Sequence, residues 1–108
     1  MALTPEKKVK NKVVKLLKDH GAYYFFPASY GMGRSGVPDV VCCYHGKFIG
    51  IECKAGDNKA TALQLKELAA IREAEGVTFI INEENVGVLD EYLKNNGNAD
   101  DRLRDVLR

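Results

Sequence analysis

Asp39-Val40-Val41-Cys42-Cys43-Tyr44-His45-Gly46-Lys47-Phe48-Ile49-Gly50-Ile51-Glu52-Cys53-Lys54 reads as a β-hairpin. Two apolar runs flank His45-Gly46, a two-residue turn in which glycine takes positive φ at no steric cost. With those two residues as the loop, Tyr44 pairs with Lys47, and Asp39 falls opposite Glu52. Directly opposed side chains share a face and lie about 5 Å apart at Cβ, where like charges repel. Alternation puts Lys54 and Gly50 on the same face, with Gly50 leaving room beside the acids. Asp, Glu and Lys are almost never buried unless paired or bound to a metal. A simple ion pair of Lys54 with one acid would leave the second acid unexplained inside an apolar hairpin. A divalent cation between the acids would turn repulsion into coordination, because Mg²⁺ takes carboxylate oxygens at about 2.0–2.1 Å. Asp39, Glu52 and Lys54 are therefore the candidate catalytic residues.

Outward from the hairpin, the chain alternates helical and strand patterns. Thr4-Pro5 opens a first helix, with Thr as N-cap and Pro at the first helical position. Val9, Val13, Leu16 and Leu17 follow at helical spacing, and Gly21 ends it. Residues 22–26 read as a first strand and 27–37 as a glycine-containing loop. The hairpin strands take roughly 38–44 and 47–54. Thr61-x-x-Gln64 is a capping-box pattern opening a second helix, continued by Leu65, Leu68, Ala69 and Ile71 or Arg72 and closed by Gly76. Residues 77–81 read as a fourth strand and 84–95 as a third helix. Asn95-Asn96-Gly97-Asn98 is a break. Leu103, Val106 and Leu107 give the tail helical spacing, as a short docked helix, an oligomer contact or a frayed end.

The order is α-β-β-β-α-β-α, an α/β fold. The first three strands can be antiparallel neighbours, and strand three, helix two and strand four form a βαβ unit whose strands run parallel. A mixed sheet flanked by helices follows, which explains hairpin strands that are apolar on both faces.

The 108 residues suit one domain, taken as 1–97 with a tail at 98–108, and 45% apolar with 29% charged residues is an ordinary globular composition. No apolar run reaches the roughly 18–20 residues of a membrane span. The N-terminus lacks the apolar stretch of a secretory signal, so an intracellular setting is expected. Cys42, Cys43 and Cys53 match neither a zinc spacing nor a disulfide framework and are read as small buried hydrophobes. The net charge of +1 hides an asymmetry: residues 1–66 carry +6 and residues 67–108 carry −5. The candidate site lies in the basic part, which suits an anionic ligand such as nucleic acid, although a solvated lysine face explains the same charge.

Other motifs divide. Gly31-Met32-Gly33-Arg34-Ser35-Gly36 matches the dinucleotide fingerprint literally, but Val37-Pro38 and a strand follow where a helix is required. Arg34 and Ser35 could instead contact a phosphate backbone. His45 reads as a turn residue, and His20 as a partner of its own helix C-terminus. Glu6 lies on the stripe of Val9 and Val13, either as a first-turn acid or as a further metal or water ligand. Gln64 is a capping residue or a polar contact in the site. Lys59, Lys8 and Lys12 are candidate phosphate contacts or solvated lysines.

Pro38-Asp39, a gap of 12 residues, then Glu52-Cys53-Lys54 resembles the PD-(D/E)xK nuclease superfamily. The finer pattern Gly36-Val37-Pro38-Asp39, Gly50-Ile51-Glu52-Cys53-Lys54 and Gln64 resembles its virus-type replication-repair nuclease (VRR-NUC) domain in the small, stand-alone form, over about residues 4–95. The resemblance implies a restriction-endonuclease-like core and Mg²⁺- or Mn²⁺-dependent DNA cleavage. It implies Asp39 and Glu52 as metal ligands and Lys54 as the catalytic lysine. It also suggests the Cys53 carbonyl as a further ligand, Glu6 as an acid near the metal and Gln64 as a supporting residue. Stand-alone members resemble Holliday-junction resolvases, which implies a homodimer acting on branched DNA in repair or recombination and a phage or prophage origin. A nicking or restriction-type endonuclease on duplex or flap DNA is the alternative within the class. A non-catalytic nucleic-acid-binding module is the alternative outside it.

Overall fold

The computed structural model describes residues 3–28 and 35–98. Arg34 and the tail beyond Asn98 therefore lie outside the described residues. Seven elements follow in order: α1 (Pro5–Asp19), β1 (Tyr23–Phe25), β2 (Val40–Tyr44), β3 (Lys47–Cys53), α2 (Ala62–Glu73), β4 (Val77–Ile81) and α3 (Val86–Lys94). They make a small α/β fold with one four-stranded mixed sheet in the order β1-β2-β3-β4. β1 and β2 pair antiparallel, as do β2 and β3, whereas β4 runs parallel to β3.

Local chemistry sets the element ends. Thr4 Oγ1 accepts the Lys7 N–H at 3.2 Å and Pro5 occupies the first turn, so α1 starts where the sequence says it should. At the hairpin tip, His45 (φ 50°) and Gly46 (φ 78°) both adopt left-handed backbone, the signature of a type I′ turn. Tyr44 pairs with Lys47, and Val40 with Ile51. The register read from the turn therefore holds to the last ladder pair.

The sheet's two faces are filled unequally. Val9, Val13 and Leu17 of α1 and Leu89, Tyr92 and Leu93 of α3 pack on one face, against Val40, Cys42, Tyr44, Ile49, Ile51, Cys53, Phe79 and Ile81. On α2 only Leu68 is buried. Leu65 and Ala69, expected on the buried stripe of that helix, are exposed. Among the described residues α2 is the only helix on the other face, and Tyr23, Phe25 and Phe48 remain at least half exposed. Cys43 is exposed too, which corrects the reading of all three cysteines as buried. It pairs with Tyr23 and Phe48 and shares their uncovered end of the sheet. Buried Cys42 and Cys53 behave as expected: burial pushes each thiol up to about 12.

Gly50 does not leave open space beside the acids. A Cβ there would meet Ile71 Cδ1 at 2.7 Å and Pro38 Cγ at 3.1 Å. The missing side chain is what lets Pro38 and α2 close on the strand. Among the described residues no helix is long and apolar enough to cross a membrane.

Candidate active site

The end of the sheet where β2 begins and β3 ends gathers the three residues of the hairpin argument. Asp39 sits in a bend one residue before β2 and is half-buried. Its Oδ2 accepts the Cys53 backbone N–H at 2.8 Å, so a side chain takes the place of the next backbone rung. Glu52 lies inside β3 and is only 1% exposed. Lys54 follows the end of β3, half-buried, with its N–H donated to the Ile81 carbonyl at 2.9 Å as the parallel ladder runs out.

Glu52 is the electrostatic centre of this arrangement. Its carboxyl is pushed up to about 8, first by burial, then by a hydrogen bond with Asp39 and by the Asp39 charge. Glu6 raises it further, and Lys54 opposes the rise. As an anion Glu52 offers Asp39 only a second acceptor, and its Oε2 is buried without a hydrogen-bond partner. A proton resolves the conflict by turning two acceptors into a donor and an acceptor. A cation between the oxygens resolves it equally well.

Gln64 performs both roles between which the sequence could not choose. Its Oε1 accepts the Thr61 N–H at 2.8 Å, while its own N–H donates to Thr61 Oγ1 at 3.2 Å, which completes the capping box. Its Nε2 is left free to donate to Glu52 Oε1 at 3.3 Å. The helix start and the acid are thus tied through one amide. Gly36 seats that helix start: with φ +83°, its Cα lies where a Cβ would meet the Leu63 carbonyl carbon and oxygen at 2.8 Å.

The helix-one acid also reaches this end of the sheet. Glu6, Lys7 and Lys10 line a depression of about 200 Å³ with Thr4, Asp39 and Cys53. Lys7 and Lys10 were missed by sequence reasoning, although Lys10 follows Glu6 by one helical turn on the Val9–Val13 stripe. Lys8 is exposed on the same helix, and Lys12 lines a separate hollow against Val86 and Asp90 of α3. Lys59 and Ser35 are exposed. His45 is an exposed turn residue with its ring edge-on to Tyr44. His20 does more than sit at its own helix end, because its Nε2 lies 3.2 Å from Asp90 Oδ1 on α3.

Among the described residues no group of three or more His, Cys, Asp and Glu side chains is arranged to hold a metal ion. The donor set therefore consists of two carboxylates, one of them carrying an orphaned buried oxygen. That fits a Mg²⁺-like ion, which is usually held by one or two carboxylates and completes its shell with water and substrate phosphate. No protein-family model matches the chain, and no curated protein matches it.

Proposed function

We propose that this chain is a metal-dependent DNA endonuclease of the PD-(D/E)xK type, with the restriction-endonuclease-like core and the stand-alone VRR-NUC pattern its motifs resemble. The observation that carries the reading is Glu52: a carboxyl 1% exposed, with one oxygen unpartnered, set against Asp39 and Lys54. Burying such a group costs stability, and an acid pair kept at that cost calls for a ligand. Asp39 and Glu52 would hold Mg²⁺ or Mn²⁺, with the Cys53 carbonyl as the further oxygen the family pattern suggests and Glu6 as an acid nearby rather than a third carboxylate ligand. Bound there, the ion supplies neutralisation of a phosphodiester and a more acidic water.

The chain's own residues do the rest. The Cys53 N–H fixes the Asp39 carboxylate, and Gln64 steadies Glu52. Lys54 stabilises the negative charge that builds on the phosphate as water attacks in line. The P–O3′ bond breaks, leaving 5′-phosphate and 3′-hydroxyl ends. Lysines of α1 hold the backbone without reading bases, so binding is salt-dependent. A resolvase-like homodimer on a four-way junction is the finer form of this reading, since a two-fold enzyme matches a substrate that must be cut on two strands.

The test is cleavage of labelled junction, flap, duplex and single-stranded DNA with Mg²⁺, Mn²⁺ or EDTA. Cleavage should require the metal and fall roughly 10²–10³-fold in Lys54→Ala. Equal cutting in EDTA, or a fully active Lys54→Ala protein, would sink the mechanism. DNA binding without metal-dependent cutting would favour a non-catalytic binding module.

A further inference from the structure

Phe26 lies just past β1 and is 47% exposed. Exposed rings are common on protein surfaces, and what sets this one apart is its neighbour. Here the Lys10 ammonium sits 4.5 Å from its ring centroid. Lys10 also lines the depression formed with Glu6, Lys7, Asp39 and Cys53. One side chain thus joins an open aromatic ring to the acid end of the sheet. Tyr24 backs the ring from within the sheet, with centroids 6.0 Å apart.

A nucleotide has the same two-part chemistry, an anionic phosphate joined to a flat aromatic base. We infer that Phe26 and Lys10 form a stacking subsite for one unpaired nucleobase beside the candidate active site, the base lying on Phe26 and its phosphate on Lys10 and Lys7. This rests on the nuclease reading and sharpens its substrate class. An ammonium over an exposed ring is weakly held. A phosphate entering the depression draws Lys10 toward it and uncovers the ring for the base. In matched duplex both faces of every base are already stacked. The subsite therefore accepts only nucleotides that are flipped, frayed or single-stranded. The favoured substrates are then DNAs in which a nucleotide next to the cut is unpaired or readily frays, as at the branch point of a junction.

The experiment uses a short single-stranded oligonucleotide carrying 2-aminopurine, titrated with the full chain in EDTA and again in Ca²⁺. Stacking quenches the fluorescence, so binding and stacking are read without cleavage. The wild type should quench it, Phe26→Ala should bind about tenfold more weakly with the quench lost, and Phe26→Trp should restore both. Lys10→Ala should weaken binding and flatten its salt dependence. Tyr23→Ala removes an exposed ring at the far end of β1 and should change nothing. Matched duplex should bind Phe26→Ala and wild type equally. Unchanged binding and quenching in Phe26→Ala, failure of Trp to rescue, or an equal loss with Tyr23→Ala overturns the subsite. Loss of metal-dependent cutting with the Phe26-dependent quench intact overturns the nuclease reading alone.

Discussion

Two carboxylates in different surroundings show what this fold does with charge. Asp90, on α3, is met by Lys94 at 3.1 Å and by His20 at 3.2 Å, in partial contact with solvent. Its pKa is lowered, chiefly by the Lys94 and His20 hydrogen bonds. Glu52 is buried beside another acid, and its pKa is raised to about 8. The first arrangement is a satisfied ion cluster that ties α1 to α3. The second is an unsatisfied one that opposes folding and waits for a proton or a cation. Charge that is paired within the chain serves the fold, and charge that is left unpaired points to something outside it.

The largest effect that tests this contrast is on activity. On the proposed nuclease reading, replacing Glu52 by Gln should cut metal-dependent cleavage by roughly a hundredfold or more, because Glu52 would be a ligand to the ion. The same change should stabilise the protein, by roughly 2–4 kcal/mol near pH 8 in chemical denaturation, since an amide needs no ionisation at a buried site. A Glu52→Gln protein that is both inactive and less stable would break the comparison.

The pH dependence follows with opposite signs at the two sites. Glu52 holds its proton in the folded chain between its ordinary 4.5 and about 8, while the unfolded chain has lost it. Its contribution to stability is therefore greatest at low pH and falls as pH rises through that window. Excess Mg²⁺ at pH 8 should return stability to the wild type, by about 2.7 kcal/mol at a hundred times the dissociation constant, and should not do so in Glu52→Gln. Asp90 behaves in reverse: its stabilisation is present above its ordinary value of 3.8 and is lost as pH falls through the lowered one. Thermal unfolding across pH 3–9, with and without Mg²⁺, separates the two.

Gly36→Ala should cost about 1–3 kcal/mol, because φ +83° is strained for alanine and its Cβ would strike the Leu63 backbone. It should also lower cleavage by moving Gln64 off Glu52, whereas Gln64→Glu should keep the Thr61 cap and set a like-charged oxygen against Glu52 in place of the amide donor. Asp90→Asn should have the smallest effect, within about 1 kcal/mol, as expected for a partly exposed ion cluster, and should leave cleavage unchanged.

Much of the fold was legible because its signals are local. Thr4-Pro5, Thr61-x-x-Gln64 and His45-Gly46 each act through groups within four residues of themselves, so their elements appear where their chemistry predicts. The hairpin turn also sets a register, which carries the Asp39–Glu52 juxtaposition across 12 intervening residues. What stayed hidden depends on coverage by distant parts of the chain. Leu65 and Cys43 have apolar chemistry and helix or strand periodicity, yet both are exposed: Leu65 lies on a helix that buries only Leu68, and Cys43 lies where no described helix covers the sheet. His20 was assigned to its own helix end, since nothing in the sequence announces a partner 70 residues away.

The order of elements, the hairpin register and the convergence of Asp39 and Glu52 at one end of the sheet are all legible in the order of residues. These follow from turn chemistry and strand period, which are properties of neighbouring residues. Packing in three dimensions is what buries Glu52 with an orphaned oxygen, lets Gln64 cap its helix and hold the acid at once, and brings Lys10 rather than Lys12 to the site. Burial, pKa and which lysine meets which ring depend on how helices seat on the sheet, and that seating is settled by packing across the whole chain.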